Sequence, residues 1–592
     1  MHKVLLTFFA LSCWLSIYSQ SNSYKVSFDN AVHHEGVFTM SFPEITSDTL
    51  SVRMANSSPG RYAFHSFAKN VYNFKAMDSK GKTIAFHRPN PYQWDIYNHD
   101  GAVTIQYTLF ANRGDGTYSQ IDETHAHLNI PASFMFAPAL EKRPIEISFD
   151  TPPAYKWKVA TQLKKQKENL YWAPNLYYFM DSPIELSNYG LREFKISTNG
   201  KEQNIRFVLH HNGTDEELDN YFESVKLIVK EQEKVFGELP DFDFDEYTFL
   251  ACYLPNVNGD GMEHRNSTIL TSTRSLANEG LKRNLGTVSH EFFHAWNVER
   301  IRPKSLEPFD FDNTDMSGEL WFAEGFTSYY TNLILCRAGL RTPEEYVTGL
   351  NGGFNYVWNS NGTKFFNPIE MSYQAPFVDA ATSLDPQNRN NTFISYYSYG
   401  SVLGLALDLS LRKNNLNLDD FFKKIWNTFG KREKPYKIKD LHLALNEYAG
   451  KNFGDSFFEN YIYNSKMPDY KTLFASVGLK ITQDEETGTF GTYVNKNTIG
   501  NNTLIDSPAY NAGLEKDDII TEVNAIKMTE AHHFADFLKD KKEGETLKIA
   551  YTRHGNIKET ELTLTKNPKY TIAIDSEADK KAISMRNDWL KQ

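Results

Sequence analysis

Apolar and polar residues alternate over short runs in the first third of the chain. Thr49 to Met54 and Val103 to Leu109 are examples, and turn signals separate such runs: Ser58-Pro59-Gly60, Asp78 to Gly81 and Arg113-Gly114-Asp115-Gly116. Alternation with period two turns one face of each run toward a core, so residues 21–205 are predicted to form a β-sandwich. Near Asp215 the period becomes helical. Glu216 to Phe236 carries apolar residues at helical spacing, and Gly237 follows as a stop. From there to about residue 470 the pattern is mainly helical, over Asn284 to Val298, Glu319 to Ala338, Tyr399 to Lys413 and Leu418 to Phe429, with one strand at Tyr247 to Leu254. A third unit, residues 475–567, returns to strands at Gly491 to Val494 and Leu547 to Thr552. Between them lie Ser507-Pro508-Ala509, Ala512-Gly513-Leu514 and Asp517 to Val523. Alternating charge and few apolar residues after Lys566 predict a loosely held tail, residues 568–592. The fold class is α+β and multidomain.

Length agrees with that division. At roughly 100–200 residues per domain, 592 residues predict three or four domains. The first twenty residues stand apart: Lys3, then a mostly apolar stretch from Val4 to Leu15, then small or polar residues from Ser16 to Ser21. This order predicts a signal peptide over residues 1–20, cleaved near Ser19 or Gln20, and a secreted, periplasmic or extracellular, mature chain. The apolar run is shorter than the ~20 residues that span a bilayer, and no membrane span is expected in the mature chain. A net charge of −11 argues against a nucleic-acid partner. After cleavage Cys252 and Cys336 remain. They are too few for a disulfide framework and are expected to be separate buried thiols.

The chemistry is concentrated at His290-Glu291-Phe292-Phe293-His294. Helical positions four apart lie about 40° apart on one face, so both imidazoles can reach one ion. Zn²⁺ accepts nitrogen and carboxylate donors, and catalytic sites use three protein ligands plus a water. Glu291 is placed to take that water's proton. Two histidines on a solvated helix face would be the bland alternative, but Val288, Phe292, Phe293 and Trp296 mark this helix as buried, and buried histidines need partners. The third ligand is expected to be a carboxylate on a nearby helix. Glu324, the one acid within Leu320 to Phe326, is the best candidate, because an ion would neutralise it there. Glu299 and Glu319 are read as supporting or surface residues.

Val288 to Asn297, Arg300-Ile301-Arg302-Pro303, Leu320 to Tyr330 and Gly261 to Ser267 together resemble the glycyl aminopeptidase family, thermolysin-like zinc metallopeptidases. Ser58 to Tyr62, Phe67 to Val71 and Trp94 resemble its N-terminal β domain, and residues 475–567 resemble a PDZ domain. The resemblance implies a thermolysin-like catalytic domain over residues 206–470. It also implies a zinc aminopeptidase, a hydrolase that removes small N-terminal residues such as glycine or alanine from peptides. In related enzymes a Gly-x-Met-Glu element beside the zinc binds the substrate amine; Gly261, Met262 and Glu263 fit it, although Asp260 departs from the expected glycine. A tyrosine three residues before a glycine stabilises the oxyanion; Tyr397-Ser398-Tyr399-Gly400 fits, although Tyr399 stands where lysine is usual. The PDZ-like unit would take a peptide C-terminus, with Thr489-Phe490-Gly491-Thr492 the nearest candidate for its carboxylate loop.

The expectation is therefore one zinc ion per chain, held by His290, His294 and Glu324. Glu291 is the base, Tyr397 the oxyanion donor, and Glu263 the amine anchor with Gly261 and Met262 beside it. The rivals are an endopeptidase with the same zinc site and a non-catalytic secreted peptide-binding protein. Because all the proposed chemistry precedes or meets Gly400, removal of residues after about 475 is expected to spare activity on small substrates.

Overall fold

The computed structural model describes residues 20–277, 279–378, 385–483 and 486–591. The expected signal peptide lies outside them, apart from Gln20. Among the described residues no helix is long and apolar enough to cross a membrane.

The N-terminal part is β-rich, as the alternation predicts. A seven-stranded sheet runs in the order Lys164–Lys167, Leu170–Ala173, Ile145–Asp150, Asn22–Ser27, Glu35–Phe42, Val103–Phe110, Val71–Met77. Along Glu35–Phe42 every second residue is buried, which places Phe38, Met40 and Phe42 in the core. Register pairs Phe38 with Tyr107, and their rings stack at 5.4 Å. A four-stranded sheet (Lys158–Thr161, Ile184–Ser187, His125–Leu128, Gln120–Ile121) and a three-stranded one (Thr49–Arg53, Gln93–Tyr97, Phe86–Asn90) complete this part.

Its end differs from the predicted boundary at residue 205. Gly190–Thr198 and Lys201–His211 form a hairpin in the sheet of the next domain. Lys201–His211 then pairs in parallel with Glu246–Tyr253, and the helix Asp215–Phe236 makes the crossover that parallel pairing requires. Thr214 and Glu217 cap this helix reciprocally, and Gly237 ends it at φ 87°. Ser267–Ser272 adds a further parallel strand, and Asp260–His264 closes the edge antiparallel to it. The central domain is thus a five-stranded mixed sheet packed on helices, where the sequence showed one strand.

The third unit has its own small core around Phe490, Ile499, Ile520, Phe534 and Leu547. It is framed by two strands whose Leu479 and Ile572 belong to the core of the central domain. Leu479–Gln483 pairs antiparallel with Tyr570–Ile574. Asn351 and Asn355, one turn apart on the helix Pro343–Trp358, each exchange two hydrogen bonds with the backbone of that last strand, at Ile572 and Tyr570. The expected loose tail is instead a structural element. The helix Lys580–Leu590 buries Trp589 completely, its indole N–H donates to the Tyr329 hydroxyl (2.9 Å), and Arg337 Nε donates to the Trp589 carbonyl (3.0 Å).

This packing reverses the truncation expectation. Loss of a buried tryptophan alone typically costs about 3–5 kcal/mol, against total stabilities of about 5–15 kcal/mol. Deletion after residue 475 should therefore give a chain without a cooperative thermal transition. Replacing only residues 486–566 by a short Gly/Ser linker should leave a folded domain. Circular dichroism melts of the two proteins decide the point; a truncated chain melting like wild type would show that the C-terminal helix contributes nothing.

Candidate metal centre and active site

The helix Glu279–Phe293 carries His290 and Glu291 in its last turn, and His294 follows immediately. Both histidines are oriented by their Nδ1 atoms. His290 Nδ1 donates to the Thr331 hydroxyl (3.0 Å), which itself donates to the Thr327 carbonyl (2.9 Å). His294 Nδ1 donates to the Asn297 carbonyl (2.7 Å). A proton fixed on Nδ1 leaves the Nε2 lone pairs facing the site, as metal ligation needs. Val298 then takes φ 106°, an unusual conformation for a β-branched residue. Beside this turn Asn297 donates from Nδ2 to the carbonyls of Phe322 (3.2 Å) and Ala323 (3.0 Å) and to the Thr327 hydroxyl (3.1 Å). These bonds hold Glu324 at the junction of the helices Leu320–Ala323 and Gly325–Arg337.

Glu324 Oε2 lies 3.5 Å from His290 Nε2 and 3.2 Å from His294 Nε2. Donors about 2.0–2.1 Å from a tetrahedral ion stand about 3.3 Å apart, and the three ligand atoms all lie within 4.8 Å of one another, so the group suits a zinc-sized cation. Burial would raise the Glu324 carboxyl, but the two histidines outweigh it and hold the group well below the usual range. Burial lowers His294, yet Glu324 and Glu263 lift it to about 10. The pocket is rich in carboxylates, which favour positive charge at its centre.

Two glycines explain how Tyr397 arrives. A Cβ on Gly325 would lie 2.4 Å from the Gly400 Cα, and one on Gly400 would lie 1.9 Å from the Trp321 carbonyl oxygen. Only a glycine pair lets the helix Tyr396–Lys413 approach Glu324 so closely. One turn before Gly400, the Tyr397 ring then stands 6.0 Å from that of His290.

On the other side, the edge strand Asp260–His264 runs past Glu291. A Cβ on Gly261 would sit 2.2 Å from Glu291 Oε1, so a side chain there would displace the Glu291 carboxylate. Glu263 and Met262 are buried, and ligand atoms of Glu263, Glu291 and His294 all lie within 4.8 Å of one another. Burial raises both the Glu291 and Glu263 carboxyls, more than His294 lowers them. Asp260 takes no part in this cluster. Its carboxylate pairs with Arg61 and accepts from the Gly116 N–H (3.1 Å). Of the remaining acids, Glu319 accepts from the hydroxyls of Ser305 (3.0 Å) and Ser317 (2.9 Å). The Glu299 side chain is 7% exposed, and its burial and Asp181 raise it to about 7.

The N-terminal domain supplies residues that sequence reasoning missed. Tyr62 donates to Glu324 Oε1 (2.8 Å). Gly60, at φ 74°, presses on the edge strand so closely that a Cβ would lie 2.1 Å from Met262 Sδ and 2.9 Å from Glu263 Oε2. Arg61 reaches both Asp260 and the Gly261 carbonyl. Residues 58–62 were visible as a marker of the β domain, but no local pattern links Tyr62 to an acid 262 positions away.

Comparison with known proteins agrees with this architecture. Residues 23–188 match the family model described as the Peptidase M61 N-terminal domain, residues 283–403 match M61 glycyl aminopeptidase, and residues 484–564 match a PDZ domain. The first of these ends at residue 188, where the four-stranded sheet gives way to the catalytic hairpin. No curated protein matches the chain. Among solved structures, an aminopeptidase N family protein from Idiomarina loihiensis aligns over 96% of this chain and 100% of its own, with 23% identity and a TM-score of 0.83, which shows a shared fold. An M1 zinc metallopeptidase from Deinococcus radiodurans aligns over 76% of this chain and 95% of its own, at 11% identity and a TM-score of 0.44. Aminopeptidase A from Legionella pneumophila, in complex with aspartic acid, aligns over 94% and 56%, at 12% identity and 0.44.

Proposed function

This chain belongs to the M61 glycyl aminopeptidase family and so is a zinc aminopeptidase of the hydrolase class, and from that premise we propose that it removes small N-terminal residues, glycine or alanine, from peptides, with one zinc ion held by His290, His294 and Glu324. The observation that carries this reading is the buried Glu263 carboxylate beside Glu291 and His294, on a strand whose outer side is covered by the N-terminal domain at Gly60 and Gly116. A closed, acidic end next to the ligand cluster suits a free amine and a small side chain. An endopeptidase would need that end open.

Bound there, zinc would act as a Lewis acid toward the scissile carbonyl and lower the pKa of a water. Glu291 takes the water's proton and returns it to the leaving amine. Glu263 pairs with the substrate ammonium and fixes the register, with Gly261 and Met262 forming the wall beside it. Tyr397 donates to the developing oxyanion. The PDZ-like unit takes a peptide C-terminus at residues 489–492, where Gly491 has φ 91°. The basic, apolar, then polar order of residues 1–20 supports export of the mature chain to the periplasm or beyond.

Hydrolysis of glycyl and alanyl amides, abolished by a chelator and restored by zinc, is the test of this function. Activity untouched by chelation would overturn it.

Two residues can be separated by how they act. Tyr397→Phe removes one oxyanion donor, and kcat should fall by about 10²–10³ with KM little changed; a kcat within threefold of wild type would remove Tyr397 from the mechanism. Tyr62→Phe removes a hydrogen bond to a ligand, and such losses weaken metal binding by about 10–100-fold. Competition with a chelating dye measures this, and unaltered zinc affinity would reduce Tyr62 to a packing role.

A further inference from the structure

Separate from the proposed catalytic ligands, a second group of metal-ligating side chains lies largely buried where the N-terminal domain meets the catalytic sheet. Ligand atoms of His125, His210 and Cys252 lie within 4.8 Å of one another. The two halves come from different domains. His210 and Cys252 are register partners on neighbouring parallel strands, so they project side by side from the catalytic sheet. His125 lies in the four-stranded sheet of the N-terminal domain, where Glu185 is the register partner of His127 on the adjoining strand.

The contacts point inward. His210 Nδ1 lies 3.7 Å from Cys252 Sγ and 3.8 Å from Glu185 Oε1. A nitrogen and a sulfur on one tetrahedral zinc ion stand about 3.6 Å apart, given bonds of about 2.0–2.1 and 2.3 Å. His125 is fully buried, and its ring meets that of His210 edge-on at 5.1 Å. On the outer side His125 Nδ1 faces the Thr124 hydroxyl at 3.1 Å and Asp122 at 3.6 Å. Its Nε2 has no hydrogen-bond partner among the described residues, and neither has Glu185 Oε1. The other oxygen of Glu185 accepts from His127 Nδ1 (3.2 Å), whose Nε2 donates to the Asp115 carbonyl (3.0 Å). His127 thus donates from both nitrogens and holds Glu185 ionised with one oxygen to spare. Two buried polar atoms without partners are costly, and a cation bound by His125, with the Glu185 side chain turned toward it, would satisfy both.

We propose that His125, His210 and Cys252 form a second, structural zinc site, completed by the Glu185 side chain turning in as the fourth ligand, that clips the N-terminal domain to the catalytic sheet. Two imidazoles, a thiolate and a carboxylate are a closed tetrahedral donor set for zinc, and the Cys252 thiol proton leaves to solvent when the ion binds. The clip would fix the domain that delivers Tyr62 and Gly60 to the active site.

Cobalt separates the two sites, because the proposed catalytic ligands include no sulfur. The full chain, stripped of metal and reloaded with Co²⁺, should hold two equivalents and show an intense near-ultraviolet thiolate-to-cobalt band. Cys252→Ser and Cys252→Ala should each lose the band and one equivalent while still hydrolysing aminoacyl amides. The double variant His290→Ala with His294→Ala should lose the other equivalent, lose hydrolysis and keep the band. If a cysteine variant fails to fold, His125→Asn serves in its place, with a shifted or absent band expected. One equivalent and no band in folded wild-type protein overturns the second site whatever happens at the first, and a band that survives in Cys252→Ser overturns this ligand assignment.

Discussion

Glu291→Gln should lower kcat on a glycyl amide by about a thousandfold, within the 10²–10⁴ range typical of a lost general base, and should leave the zinc in place. The substitution keeps the size and removes the acid–base function. Space is the first reason to expect intact geometry. Glu291 Oε1 lies against the Gly261 Cα, and an amide of the same shape fits the same gap. Electrostatics is the second. Burial raises the Glu291 carboxyl, so it holds a proton far more readily than an exposed glutamate, and a group that gains and returns a proton works best with its pKa near the operating pH. Glu324, held low by the two histidines, cannot do this. The competing reading is that Glu291 ligates the ion, since it also clusters with Glu263 and His294. Elemental analysis separates the two. A Glu291→Gln protein that loses zinc makes Glu291 a ligand, and one that keeps zinc and retains more than a tenth of wild-type kcat places the base elsewhere.

What the sequence could and could not reveal follows from how local each feature is. The two histidines and Glu291 sit within five residues, so helical geometry alone brings them together. Glu324 was legible as the one acid in an apolar helix. Tyr397 was recognisable by its spacing to Gly400, and the reason for that spacing, the contact of Gly400 with Gly325, appears only in three dimensions. Ser267–Ser272 is buried on both faces and therefore shows no alternation, and the strand that carries Glu263 was implied by the family resemblance and not by its own pattern. The C-terminal helix buries only Ala582, Trp589 and Leu590, too few to give a helical period. Tyr62, Gly60 and Arg61 reach the site from another domain, and no local pattern encodes that.

Glu263→Ala should abolish the preference for a free N-terminus that wild-type enzyme shows. Glu263 is buried, and its Oε1 has no hydrogen-bond partner among the described residues. A peptide N-terminus with a pKa of about 8 is largely an ammonium at neutral pH. Against a desolvated carboxylate it gains a charge-assisted hydrogen bond of about 1.5–3 kcal/mol. An acetylated substrate brings no charge and leaves the carboxylate unpaired, which costs further free energy. At 1.4 kcal/mol per factor of ten, wild-type kcat/KM should favour the free amine by at least about tenfold. Asp260 cannot substitute, because Arg61 and the Gly116 N–H already hold it. The preference should also fade as pH rises above about 8 and the amine loses its proton. The measurement is kcat/KM for matched free and acetylated substrates, on both proteins, across that pH range. A Glu263→Ala enzyme that keeps zinc and the full preference puts the amine site elsewhere. A wild-type enzyme that cleaves both substrates equally is an endopeptidase.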